Sequence, residues 1–148
     1  MGDEMLVSFA AVLRRTVRGS DVPARLGGDE FAVVLPAVGC AGDATRVAER
    51  ILAECREPLT VAGHRLQLRG SIGVAVAEHR PDGTAENCDA AELLHRADLA
   101  MYTAKRRRTH SWVLYSPDTM DADAAQAGAA AQTSSTTSAI DSRTRAGR

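Results

Sequence analysis

A pair of glycines at positions 27–28 constrains the fold of this chain more than any other sequence feature. The pair separates a short apolar approach, 22–26, from a continuous apolar run, 31–35, and glycine readily adopts the positive φ of a tight turn. The pattern predicts a β-hairpin whose tip carries Asp29 and Glu30. Acidic residues are also common in exposed turns, so the tip alone does not separate a structural turn from a functional site.

The composition indicates one globular domain. The chain has 148 residues, of which 45% are hydrophobic, and this is enough to bury a single core. Its net charge of -1 gives no general attraction for nucleic acid or an anionic membrane, so any anion site must be local. No apolar run is long enough for a membrane span. The three cysteines include no Cys-x-x-Cys pair, which predicts reduced thiols in a cytoplasmic protein. The histidines lack metal-ligand spacing and are interpreted as surface or core residues.

Three helices are predicted from apolar residues at helical spacing. The first spans 3–17 with Asp3 as a possible N-cap, and the second runs from an N-cap at Asp43 to about residue 56. The third begins at Asp89, where Glu92 completes a capping-box pattern. Its inward face is predicted to carry Leu93, Leu94, Ala97, Met101 and Ala104.

Strands are predicted at 31–35 and 71–76, on either side of the second helix. Because the run 31–35 is apolar throughout, that strand is expected to be covered on both faces. Strand, helix and strand in this order predict a right-handed crossover within one α/β sheet. A small hairpin turning at Gly63, a loop over 78–88 and a last short strand over 112–115 complete the domain.

From residue 117 onward the composition changes to alanine, serine, threonine, glutamine and aspartate. Such a segment buries too little apolar surface to offset the entropy of ordering it. The sequence therefore predicts a domain over residues 1–116 and a disordered low-complexity tail over 117–148.

Three segments together resemble the signatures of a known family. They read RLGGDEF at 25–31, SIGVA at 71–75 and RADLAMYTAK at 96–105. In this order they are similar to the GGDEF domain of bacterial diguanylate cyclases, and the resemblance covers about residues 1–116. It implies an α/β (α+β) palm-like fold, a nucleotide-cyclase or ferredoxin-like sheet flanked by helices. It also implies the condensation of two GTP molecules into cyclic di-GMP and two pyrophosphates, in a homodimer or with a partner GGDEF chain.

Catalytic roles for the acidic tip follow from the resemblance. Joining a ribose hydroxyl to an α-phosphate requires Mg2+ held by carboxylates, which neutralises the triphosphate. The resemblance implies that Asp29 is a metal ligand. It implies that Glu30 acts on the metal or in proton transfer.

Substrate contacts are implied in the same way. Gly27 and Gly28 would let phosphate approach the backbone, and Asp3 would accept hydrogen bonds from guanine. Lys105 would pair with the phosphates. Asp3 could equally be a helix cap, and Lys105 could be a charge that suits a helix C-terminus.

An inhibitory product site is implied just before the hairpin. Arg18 and Asp21 form an Arg-x-x-Asp pattern at a fixed offset from Gly27. An arginine fork matches O6 and N7 of guanine, and Asp21 could orient it or accept from the base. Arg50 resembles the secondary arginine of such sites, although a solvated helix face explains it as well.

One departure from the family pattern limits these expectations. The family places a strand with a metal-binding Asp, followed by a guanine-reading Asn, before the region matched here. In the family fold this strand lies between those that correspond to 31–35 and 71–76, so its loss is expected to open the middle of the sheet. Without that strand the domain is expected to be incomplete at its N-terminus, with a partial Mg2+ ligand set. The remaining strands would have to close up, pair with another chain or stay marginally stable.

Three functions remain open at the level of sequence. The chain could be a diguanylate cyclase, wholly or in part. It could be a catalytically inactive module that binds cyclic di-GMP or GTP through Arg18 and Asp21. It could also be an inert fragment of a GGDEF-EAL protein.

Overall fold

The structure, a computed structural model, describes residues 2–61, 63–77, 88–107 and 110–121. Residues up to Tyr115 form one compact unit, and a second unit begins at Ser116. The predicted loop 78–88, apart from Cys88, and the predicted tail beyond residue 121 lie outside the described residues. Residues 117–121 are helical. Among the described residues, no helix is both long and apolar enough to cross a membrane.

The domain mixes helices and strands, and this confirms the predicted α/β class. The elements run in the order α1 (Gly2–Thr16), β1 (Val22–Gly27), β2 (Glu30–Val34), α2 (Ala41–Arg56), β3 (Leu59–Val61), β4 (His64–Leu66), β5 (Ile72–Val74), α3 (Ala90–Arg106) and β6 (Trp112–Leu114).

The strands form three separate pairs. β1 and β2 form the predicted antiparallel hairpin, β3 and β4 form a second, and β5 and β6 run parallel. The predicted crossover from β2 through α2 to β5 within one sheet is wrong, because β2 and β5 do not contact each other in the described structure. Neighbouring strands of a sheet lie only about 4.8 Å apart. The strands have therefore not closed up against each other.

The hydrophobic core is formed mainly by residues of α1 and α2, with side chains of the strands packed against them. One cluster joins Val12 and Leu13 of α1 to Ile51 and Cys55 of α2, with Phe31 and Val33 of β2 packed against it. A second cluster joins Ala44 and Ala48 of α2 to Val74 of β5. Helices α2 and α3 both contact β5 and β6, whereas side chains of β2 pack on the first cluster.

The expectation that the second hairpin strand is covered on both faces is wrong. Phe31 and Val33 face the core, whereas Val34 is 57% exposed. Its cross-strand partner Val22 is also exposed, at 54%. The hairpin therefore buries one face, as strands do with alternate side chains.

The helix starts differ from prediction in two of three cases. Helix α1 begins at Gly2, so Asp3 lies in its first turn. The N-cap of α2 is Cys40 rather than Asp43, which instead accepts a hydrogen bond from the backbone N–H of Gly39 at 3.2 Å. In α3 the predicted cap is confirmed, because the Asp89 carboxylate accepts the Glu92 N–H at 2.8 Å.

Helix α3 buries a narrower face than predicted. Ala100, Thr103 and Ala104 are its buried residues. Leu94, predicted to face inward, is 46% exposed. Glycine at position 73 brings β5 so close to α3 that an added Cβ would meet the backbone of Ala97.

Candidate functional site

The acidic tip of the hairpin is a tight glycine turn. Gly27 pairs with Glu30, so that Gly28 and Asp29 form the two-residue connection between the strands. Gly28 has a φ of 54°, in the left-handed region that favours glycine. No described atom comes within 4 Å of a Cβ built on Gly27 or Gly28. The backbone of the turn is therefore open to a ligand.

Arg25 clamps this turn from within the hairpin. Its Nε and Nη2 both donate to the carbonyl oxygen of Gly28, at 3.0 and 2.8 Å. The strand register also shifts between Arg25 and Gly27. Sequence reasoning missed this role; the available signal was an arginine placed three residues before the second glycine of a turn.

The two tip carboxylates are unengaged. Asp29 and Glu30 are exposed, and neither side chain has a hydrogen bond or ion pair within the described part of the chain. Carboxylate oxygens suit Mg2+, which proteins commonly bind through one or two carboxylates together with substrate phosphates. The tip fits that limited role. Among the described residues no group of three potential ligands is present that could enclose a metal on its own.

The predicted guanine contact, Asp3, lies in the first turn of α1. Helix α1 runs from Gly2 to Thr16, about 22 Å at 1.5 Å per residue, and it contacts β1. Phe9 meets Phe31 edge to face, with 5.0 Å between ring centroids. Phe9 lies at the middle of α1, so this contact packs the hairpin against the helix without assigning either helix end to the tip, and the role of Asp3 remains a prediction.

Arg18 and Asp21 meet in the turn between α1 and β1. The Asp21 carboxylate accepts the backbone N–H of Arg18 at 2.8 Å, and the Asp21 N–H donates to the Arg18 carbonyl at 3.0 Å. Asp21 therefore holds the backbone of Arg18 rather than its guanidinium. The Arg18 side chain is exposed and has no partner in the described structure.

The structure does not bring the other two predicted residues to these places. Lys105 is exposed in the last turn of α3, which contacts β5 and β6 but neither strand of the acidic hairpin in the described part. Arg50 is exposed on α2 and has no partner among the described residues. Their predicted roles remain predictions.

The comparison with protein families decides what kind of domain this is. A family model described as "Diguanylate cyclase, GGDEF domain" matches residues 1–111. The chain belongs to the GGDEF family. This confirms the family indicated by the three sequence signatures, and it covers most of the chain, including α1, the acidic hairpin and α3.

Individual relatives agree with the family match. The chain is 41% identical over 107 residues to the diguanylate cyclase TpbB of Pseudomonas aeruginosa, covering 72% of this chain and 23% of that protein. It is 43% identical over 107 residues to the response regulator PleD of Caulobacter vibrioides, covering 71% and 22%. This GGDEF chain therefore spans less than a quarter of the length of these curated relatives.

Solved GGDEF structures confirm the fold. A structure of the GGDEF domain of TpbB superposes with a TM-score of 0.66 at 39% identity, covering 77% of this chain and 63% of that one. An EAL/GGDEF domain protein from M. capsulatus gives a TM-score of 0.66 at 32% identity, covering 78% and 70%. The palm-like α/β fold is thus shared over about three quarters of the chain.

Proposed function

We propose that this chain is a diguanylate cyclase-type GGDEF domain of cyclic di-GMP signalling in the cytoplasm. It condenses two GTP molecules to cyclic di-GMP and two pyrophosphates, and a second copy or a partner GGDEF chain supplies the second nucleotide. The observation that carries the proposal is the open glycine turn with two unengaged carboxylates, in a chain of this family.

The tip residues divide the work by their chemistry. Asp29 holds Mg2+, and Glu30 holds the metal or takes the proton of the attacking hydroxyl. Gly27 and Gly28 let the phosphates approach the backbone of the turn. When bound, Mg2+ neutralises the triphosphate and favours ionisation of the attacking hydroxyl.

Two residues outside the tip bind the nucleotide. Asp3 accepts hydrogen bonds from the guanine base, as the family resemblance implies, and its carboxylate is exposed in the first turn of α1 and carries no bond within the described residues. Lys105 supplies a mobile point charge to the phosphates. Its assignment rests on the family signature at 96–105 alone.

Product formation tests the proposal. The full chain is incubated with GTP and Mg2+ over a range of protein concentrations, and cyclic di-GMP and pyrophosphate are quantified. We expect Asp29→Asn to lower the rate by about 100-fold or more, the scale of removing a positioned catalytic group. The matched control is Glu49→Gln, which changes an exposed and unpartnered acid on α2, outside the three signature segments. No product from the unaltered chain at high protein concentration contradicts cyclase activity in this chain.

The Arg18 turn supports a second candidate, a module that binds cyclic di-GMP without turnover. Asp21 fixes the Arg18 backbone while the guanidinium stays free, so the side chain can present its fork to a guanine edge. Arg50 would make a secondary contact. This function needs no metal and no second nucleotide.

Calorimetry with cyclic di-GMP tests the Arg18 site, and the product assay above shows whether a chain that binds cyclic di-GMP also turns over GTP. We expect Arg18→Ala to weaken binding by roughly tenfold or more, since a bidentate arginine–guanine contact is worth about 1–3 kcal/mol. Arg14→Ala is the matched control, because Arg14 is also exposed and unpartnered in the described structure. Equal binding by wild type and Arg18→Ala rules out this site.

A further inference from the structure

A cavity of about 370 Å3 lies where the C-terminal end of α2 meets the segment leading into β5. It is lined by Arg56, Gln67, Leu68, Arg69 and His110. Its volume falls at the lower end of the range of about 300–1,000 Å3 that is usual for small-molecule sites. None of these five residues belongs to the acidic hairpin or to the Arg18 turn.

Hydrogen bonds join the three segments that form the cavity. Gln67 Nε2 donates to the carbonyl oxygen of Arg56 at 3.1 Å, which ties the segment before β5 to the end of α2. Leu68 is only 8% exposed and belongs to the core cluster with Cys55, so it forms the apolar part of the cavity lining. Gln67 and Arg69 on either side of it are exposed.

His110, in the segment before β6, also lines the cavity. Its Nδ1 accepts the backbone N–H of Gly70 at 3.2 Å, and its Nε2 lies 3.0 Å from the carbonyl oxygen of Leu52. An acceptor at Nδ1 and a donor at Nε2 together assign a neutral ring with its proton on Nε2. Both ring nitrogens already have hydrogen-bond partners, so His110 lines the cavity without offering a free nitrogen to a ligand.

The charge of the cavity comes from two arginines. Arg56 and Arg69 are exposed, and neither has a hydrogen bond or ion pair through its guanidinium within the described residues. Arg15, by contrast, is paired with Glu54 at 2.8 Å. Glu57 follows Arg56 in sequence but does not line the cavity. Among the described residues, two unpaired guanidinium groups therefore line this cavity and no carboxylate does.

We propose that this cavity binds a phosphoryl or pyrophosphoryl group of a small anion. The guanidinium fork is planar and matches phosphate oxygens with paired hydrogen bonds, and two forks suit an anion with more than one negative charge. The carrier is either a free inorganic anion or a nucleoside polyphosphate. The inference rests on the cavity alone and does not depend on cyclase activity.

Calorimetry with inorganic pyrophosphate, in buffer without divalent cations, tests the site. We expect binding by the wild-type chain, a loss of about tenfold in affinity for Arg56→Gln or Arg69→Gln, and a larger loss for the double variant. Arg65→Gln is the matched control: Arg65 is exposed on β4, is unpartnered in the described structure and lies outside the cavity. It should bind as the wild type does.

Three outcomes overturn the proposal. They are absence of pyrophosphate binding by the wild type, an equal loss in Arg65→Gln, and full affinity in the double variant. Thermal melts show whether each variant is folded. Arg69→Lys keeps the positive charge but removes the guanidinium fork. An affinity of Arg69→Lys that lies between those of the wild type and Arg69→Gln supports recognition by the fork.

A parallel titration with GTP, in the same buffer without divalent cations so that Mg2+-dependent binding at the acidic tip is excluded, identifies the carrier. If the double variant loses GTP and pyrophosphate together, the ligand is a nucleoside polyphosphate. If it loses pyrophosphate alone, the ligand is the free anion. Both results support the site, and both can be obtained whether or not the chain makes cyclic di-GMP.

Discussion

The guanidinium of Arg25 and the carbonyl oxygen of Gly28 form a two-bond clamp across the acidic turn, with Nε at 3.0 Å and Nη2 at 2.8 Å. Replacing Arg25 by Ala removes both donors. We expect faster amide hydrogen exchange at residues 28–30 and a loss of about 0.5–1.5 kcal/mol in the free energy of unfolding, because the clamp is solvent-exposed. Unchanged exchange at the tip in Arg25→Ala contradicts a clamping role.

The left-handed backbone at Gly28 gives a second prediction. A Cβ at this position meets no atom within 4 Å, so Gly28→Ala should act only through its φ of 54°. We expect a loss of about 1–2 kcal/mol of unfolding free energy in chemical denaturation. Gly19→Ala is the control, since it also has open space but no left-handed φ, and it should be neutral or slightly stabilising. Equal effects of the two changes would count against this cause.

The local features of the fold could be read from the sequence because their signals lie within a few residues. The glycine pair predicted the acidic hairpin, and Asp89 followed by Glu92 predicted the start of α3. The error at the start of α2 is also local. Asp43 lies inside the first turn and its carboxylate accepts the Gly39 N–H, so the same side-chain chemistry serves a helix that begins three residues earlier than predicted.

The arrangement of the sheet could not be read in this way. Which strands pair depends on residues far apart in the chain, and a strand–helix–strand order does not state whether the two strands are neighbours. Phe31 and Ile72 both reach the α1–α2 layer, yet their strands remain apart. The sequence signatures identified Asp29, Arg18 and Lys105 as site residues, but only the structure shows that α3 does not contact the hairpin strands in the described part.

The contact between β5 and α3 gives a third prediction. A Cβ at Gly73 would overlap the carbonyl oxygen of Ala97 and the backbone nitrogen of Met101, and backbone atoms cannot move aside cheaply. We expect Gly73→Ala to lower the unfolding free energy by more than about 3 kcal/mol or to prevent folding. Gly70→Ala, with nothing within 4 Å of its Cβ, should leave the melting temperature nearly unchanged. A Gly73→Ala variant as stable as the wild type would show that α3 is not held this closely.

The buried thiol of Cys55 makes stability depend on alkaline pH. Burial, with a smaller contribution from the charge of Glu54, raises the pKa of Cys55 in the folded chain, while Arg15 opposes the shift. In the unfolded chain the thiol ionises near its usual pKa of about 8.5, so unfolding releases its proton above that pH. The stabilising effect is therefore complete below about pH 8.5 and decreases as the pH rises further. Denaturation curves between neutral and alkaline pH measure this decrease, which Cys55→Ala should reduce.

Thiol labelling provides an independent check of the same residue. The side chain of Cys40 is exposed and that of Cys55 is 2% exposed, and all the cysteines in the described part are free thiols. At mildly alkaline pH we expect Cys40 to react rapidly with a thiol reagent, and Cys55 to react only at the rate of opening of the α1–α2 core. Comparable labelling rates for the two thiols under native conditions would mean that Cys55 is not shielded by this core, and the pH dependence should then be absent as well.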